Sequence, residues 1–159
     1  VIVILGILSA FALPRFLNVT EEARISTIEG IGGSLKSASG LVHAACLTAA
    51  NCNNGTTDTI TLENSAGEAI FDGGEIDIVN GYASREADGI LKAAQLDTDG
   101  TGSNAELTND RLFLQFLNNR DGIRISALES GNTTCGVIYA EASGDGTGPT
   151  ITVNTSDCS

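Results

Sequence analysis

The residues best equipped for chemistry are four cysteines, one histidine and one acidic loop. Cys46, Cys52, Cys135 and Cys158 suit two disulfides, for which three connectivities are possible. Zinc ligation is the rival, but the spacings are not CxxC pairs and His43 stands alone. Asp97, Asp99 and Glu106, with Asn104 and interleaved glycines, alternate oxygen-bearing side chains as a calcium loop does. The loop departs from that pattern, because Gly102 stands where a ligand is due and Glu106 arrives early for a bidentate one. A solvated acidic turn is the plainer reading, so no cofactor is expected and calcium is carried only as a candidate. Asn18, Asn54, Asn132 and Asn154 open Asn-X-Ser/Thr triplets, which an Asn- and Thr-rich chain also produces by chance. No nucleophile–base pair, phosphate loop or paired-carboxylate motif stands out. The chain reads as non-enzymatic.

The elements that must position these residues are bounded by composition. With 159 residues the chain makes one domain rather than two. It has 20 acidic and 8 basic side chains, a net charge of −12, and no tryptophan. Nucleic-acid binding needs clustered Lys and Arg, which an acidic chain with few aromatics lacks. Hydrophobic residues make up 42%, too many for a disordered acidic tail. The charge is unevenly spread. In residues 1–50, Arg15, Arg24 and Lys36 balance Glu21, Glu22 and Glu29, so all the net negative charge lies beyond residue 50.

Val1–Leu13 reads VIVILGILSAFAL, with no charge and Ser9 as its one polar side chain. It is apolar all round and must be buried on every side. It is shorter than the ~20 residues that span a bilayer. A secretory signal has an apolar region of this length, but Pro14-Arg15-Phe16 follows in place of a small-residue cleavage site. Beyond it, Ile25, Ile28, Leu35 and Val42 predict an amphipathic helix to Ala50. Gly32, Ser39 and Cys46 lie on the same stripe, and Ile31, Ala38 and Ala45 widen it. Gly30, Gly32, Gly33 and Gly40 each cost ~1 kcal/mol in a helix interior, so tertiary packing must support them. One helix over Val1–Ala50 would be about 75 Å long. The remaining chain makes a body of about 25–30 Å. Roughly half the helix then projects, to lie in a bilayer or against other copies.

VIVILGILSAFALPRFLNVTEEARISTIEG resembles the N-terminal segment of type IV pilins, with the nearest likeness to the mannose-sensitive haemagglutinin (MSHA) type. Gly6, Ala-Leu-Pro-Arg-Phe at 12–16 and ISTIEGIGGSLKSASGLVHAA carry it, and VNGYASREADGILKAAQLD also looks like that group. Pilins of this family begin with a methylated Phe and a Thr-Leu-Ile-Glu run; Val1 corresponds to a position several residues further in. The resemblance implies the major structural subunit of a pilus filament, serving adhesion or motility on the cell surface. A pseudopilin of a type II secretion system, or a minor pilin, is the alternative it allows. It implies many copies of the chain as partners, the assembly machinery and inner membrane as partners before assembly, and no nucleic acid. The filament core would hold Val1, Ile2, Val3, Ile4, Leu5, Gly6, Ile7, Leu8, Phe11, Leu13, Pro14 and Phe16. In such filaments the matching stretch between Gly6 and Pro14 is often unwound. Pro14 also removes a helix rung and clashes with the Ala10 carbonyl, so a break is predicted there.

The expected fold is α+β: a projecting stem over 1–24 and a head over 25–159. Strand-like runs at 59–62, 69–71, 76–79, 111–117, 122–128, 135–142 and 150–155 predict one antiparallel sheet. Its concave face should pack on the Gly-rich half of the helix. Ser84–Gln95 reads as a short helix capped by Ser84, with Ala87, Ile90, Leu91 and Ala94 on one face. The favoured disulfides are Cys46–Cys52 at the helix exit and Cys135–Cys158, the latter contributing about 3 kcal/mol. The resemblance also implies a clamp of the second kind near the C-terminus.

Overall fold

The computed structural model describes residues 2–48, 57–62, 74–96, 106–107, 112–117, 122–128, 132–144 and 146–159. Side chains are described from Val19 onward, apart from those of Thr57, Glu106 and Leu107. The chain is α+β, with one long helix and antiparallel sheets.

Helix α1 runs from Ile2 to Thr48. The predicted break between Gly6 and Pro14 is therefore absent. Pro14 takes out a single rung, and the backbone keeps its own ladder on both sides. The resemblance places unwinding in assembled filaments, and a lone chain has no neighbouring copies to favour it.

From Ile28 onward the predicted stripe is the buried one. Ile28, Leu35, Val42 and Cys46 are wholly buried, Ile31, Gly32, Ala38 and Ser39 are buried beside them, and Ile25 and Ala45 pack at the margin. Steps of three and four residues put these positions on one face. Burying each large aliphatic side chain contributes about 1.5–3 kcal/mol.

Among the described residues the head differs from the prediction, with two sheets in place of one. Strands β1 (Thr57–Thr61), β2 (Glu75–Val79) and β3 (Tyr82–Ala83) form a three-stranded sheet. Strands β4 (Glu106–Leu107), β5 (Leu112–Leu117), β6 (Gly122–Ser126), β7 (Cys135–Ala140) and β8 (Thr150–Thr155) form a five-stranded meander. The run at 69–71 lies outside the described residues. Alternation builds the core, with Leu114, Ile125 and Val137 facing inward in register. Hydrogen bonds involving side chains join the two sheets. Tyr139 Oη donates to the Ala83 carbonyl at 2.5 Å. Asn80 Nδ2 donates to the Ala142 carbonyl at 2.6 Å, and the Arg85 amide donates to Glu141 Oε2 at 3.0 Å.

β2 and β3 are joined by Asn80-Gly81, both at positive φ (52° and 81°). That is the type I′ hairpin turn, which needs positive φ at both central positions.

The predicted helix at 84–95 is reduced to a kinked segment, α2 (Ala87–Leu91), whose Gly89 is non-helical at φ −97° and ψ −112°. Ser84 does not cap it. Ser84 is buried, and its carbonyl accepts from the Ile90 amide at 2.8 Å. A Cβ on Gly89 would collide with that same carbonyl. Ile90, Leu91 and Ala93 reach the core, whereas Ala87 is exposed.

Candidate functional site

The candidate site is α1 and its seat on the head. Side chains of residues 1–18 lie outside the described residues, so the sequence-predicted core positions Val1 to Phe16 are placed only by the helical backbone from Ile2 onward. From Val19 the helix can be followed atom by atom. It packs on β3, β7, β8 and α2.

At Gly32 the helix meets β8 at close range. A Cβ there would lie 2.5 Å from Val153 Cγ2, so β8 comes nearer than a side chain permits. Gly30, Gly33 and Gly40 have open space where a Cβ would stand. The sequence suggests that all four glycines serve close packing; the structure assigns that role to Gly32.

Ser39 is a polar residue within the buried stripe, and its partner is the wholly buried Tyr139. Ser39 hydrogen-bonds the phenol oxygen, which in turn donates to Ala83. A buried hydroxyl without such partners would cost about 1–3 kcal/mol. Burial pushes the Tyr139 phenol well above the ordinary tyrosine range, the Ser39 bond opposing it.

His43 stacks on Tyr82, with ring centroids 4.0 Å apart and planes 4° from parallel. Its Nδ1 lies 2.9 Å from the Gly81 carbonyl, so Nδ1 carries the hydrogen in that contact. The one histidine thus pins the Asn80-Gly81 hairpin to the helix.

The C-terminus is tied at two points. Cys135 and Cys158 form a disulfide, the favoured pairing, and both are wholly buried. Arg24 Nη1 donates to the Cys158 carbonyl at 2.9 Å, fastening the tail to α1 just before its buried stripe. Cys46 is also disulfide-bonded, and Cys52 lies outside the described residues.

Asp97 and Asp99 lie outside the described residues, and Glu106 is described only as part of strand β4. Among the described residues no group of His, Cys, Asp and Glu could hold a metal ion. One acidic side chain of β2 is perturbed by its surroundings. Burial lifts the Asp77 carboxyl above its ordinary range, Asp88, Glu86 and Glu75 lift it further, and Lys92 opposes them.

Sequence reasoning missed β3 and its turn, although Asn80-Gly81 between apolar runs is the strongest short-range hairpin signal. Among the described residues no helix is long and apolar enough to cross a membrane. No protein-family profile, curated protein or solved structure matches this chain.

Proposed function

We propose that the chain is the major structural subunit of a type IV pilus, polymerising through its apolar N-terminal segment. What supports this reading is the division of labour along α1. One 47-residue helix carries a buried stripe that begins near Ile25, and before it the sequence is apolar on every side up to Leu13. A helix of that length extends about 70 Å, far beyond the head it seats. An apolar stretch of this kind leaves water for a bilayer or for a bundle of its own copies, at about 25 cal/mol per Å² buried. In this reading the inner membrane holds the subunit before assembly, the assembly machinery extracts it, and an extracellular filament is the product. The acidic head then coats the filament, and its like charge limits lateral sticking.

Deletion of residues 1–20 tests the mechanism. The truncated chain should be soluble and monomeric by sedimentation, while the full chain forms filaments visible by electron microscopy. Polymerisation of the truncated chain would sink the proposal. Full-length chains that give only short periplasmic fibres would favour a pseudopilin over a major pilin.

A further inference from the structure

The five-stranded sheet ends on β8, and among the described residues no strand pairs with its far side. The ladder fixes which backbone groups point that way. The Ala127 amide donates to the Cys135 carbonyl at 3.2 Å, so Cys135 turns its backbone toward β6. Alternation then turns Gly136, Ile138 and Ala140 toward β8, where they meet Asn154, Thr152 and Thr150. Ile151, Val153 and Thr155 are left to present their N–H and C=O groups outward. Those amides and carbonyls take no partner among the described residues.

An edge strand is ordinarily blunted by a charge, a proline, a bulge or short length. β8 carries none of these. Its six residues read TITVNT, uncharged and without proline. Its register with β7 is continuous, so it has no bulge. Thr150, Ile151, Thr152, Val153 and Thr155 are β-branched, which suits a pleated strand. Thr150, Thr152 and Asn154 are exposed. Such an edge is a template for another strand.

The strand that fits it is β8 itself. The outward residues are evenly spaced about Val153. In an antiparallel pair centred there, Ile151 faces Thr155 of the second copy and Val153 faces Val153, so every outward group of both strands is paired. The seam opposes no like charges: the first charged residue beyond β8 is Asp157, and it comes opposite Pro149.

The helix agrees with the same axis. A Cβ on Gly32 would stand 2.5 Å from Val153 Cγ2 and 3.8 Å from Val137 Cγ2, so the side of α1 that carries Gly32 leans over β8. Glu29 and Lys36, three residues before and four after Gly32, lie on that side and are exposed. Neither is in an ion pair among the described residues. A two-fold axis through Val153 reverses α1 and brings Glu29 opposite Lys36 of the second copy, and Lys36 opposite its Glu29. Each helix sits over β7 and β8. Strand spacing then puts the two helices about 10 Å apart, an ordinary distance for packed helices.

We propose that β8 is an interaction edge for a second copy of this chain, the two strands pairing antiparallel about Val153 to make one sheet across both heads. The proposal rests on the sheet and on the part of α1 seated on it, not on the apolar stem. In a pilus this contact links the heads of two filaments rather than successive subunits of one, because the axis reverses α1.

The test is cysteine cross-linking of the full chain in detergent micelles, oxidised in air with a copper catalyst, with Thr152→Cys chains mixed with Asn154→Cys chains. Thr152 comes opposite Asn154 of the second copy at about 4.5 Å between Cα atoms, within reach of a disulfide. Thr150→Cys with Ser156→Cys is a second directly opposed pair, and it serves if loss of the Asn154 side chain disturbs β8. Thr152→Cys with Leu41→Cys, on the exposed face of α1, reports association through the stem alone. The strand pair should give at least about tenfold more covalent dimer than that control. Thr155→Pro removes an outward amide, leaves the β7 ladder alone, and should return the yield to the control. Glu29→Lys should lower the yield about threefold, and Glu29→Lys with Lys36→Glu in one chain should restore it, because the charges only change sides. The charge variants keep the test decisive if Thr155→Pro unfolds. Equal yields from the strand pairs and the control, a yield that Thr155→Pro leaves unchanged, or a double charge swap that restores nothing would overturn the proposal.

Discussion

The two faces of α1 beyond Val19 share a backbone and differ in everything else. On the inner face Ile28, Leu35 and Val42 are wholly buried, and Gly32 admits β8 closer than any side chain would. On the outer face Leu41 is 51% exposed, Leu47 is 71% exposed, and Gly30, Gly33 and Gly40 look into open space. Residue type alone does not separate the faces, because glycines and leucines occur on both. Contact does. A glycine in a helix is a steric requirement where another element crosses it, and elsewhere a cost of about 1 kcal/mol in helix propensity.

The largest effects should come from the inner face. Leu35→Ala should destabilise the head by about 2–5 kcal/mol, read by chemical denaturation of the detergent-solubilised chain. Leu41→Ala should change stability by no more than about 0.5 kcal/mol. Equal losses at the two leucines would erase the distinction between faces. Breaking the Cys135–Cys158 disulfide with Cys158→Ser should cost about 2–5 kcal/mol, since it also puts a hydroxyl where the sulfur is wholly buried. Next is Gly32→Val, which forces atoms against Val153 and should cost about 1–3 kcal/mol. If Gly32→Val were neutral, β8 would not sit where its contact with Gly32 places it.

What the sequence disclosed follows the range of the interactions. The α1 stripe was legible because it depends on spacing within one helix, and Ile28, Leu35, Val42 and Cys46 recur at seven- and four-residue steps. The meander from Leu112 to Thr155 was legible because each strand pairs with its neighbour in sequence. The way the two sheets are joined was not. It depends on Tyr139 reaching Ala83 and on Asn80 reaching Ala142, contacts 56 and 62 residues apart that no local pattern encodes. Gly89 misled in a similar way. The pattern around Ile90 and Leu91 is helical, but the close approach of the Ser84 carbonyl bends the segment. The apolar run to Leu13 was plain in the sequence, and its side chains lie outside the described residues.

The smallest effects sharpen the comparison most, because their sign is opposite to the rest. Gly30→Ala, Gly33→Ala and Gly40→Ala each place a methyl in open space on a helical backbone. Each should therefore stabilise by about 0.5–1 kcal/mol, through the lower entropy of the unfolded chain and better helix propensity. Gly33 and Gly40 are two turns apart and should add; Gly30 and Gly33 sit on adjacent turns and can couple. Denaturation midpoints of the single variants and of Gly33→Ala/Gly40→Ala provide the check. The same change at Gly32 sets a gain in propensity against contact with Val153 Cγ2, so Gly32→Ala should fall below the other three. Were all four substitutions to stabilise alike, Gly32 would be an ordinary helix glycine and the contact with β8 would have given way at no cost.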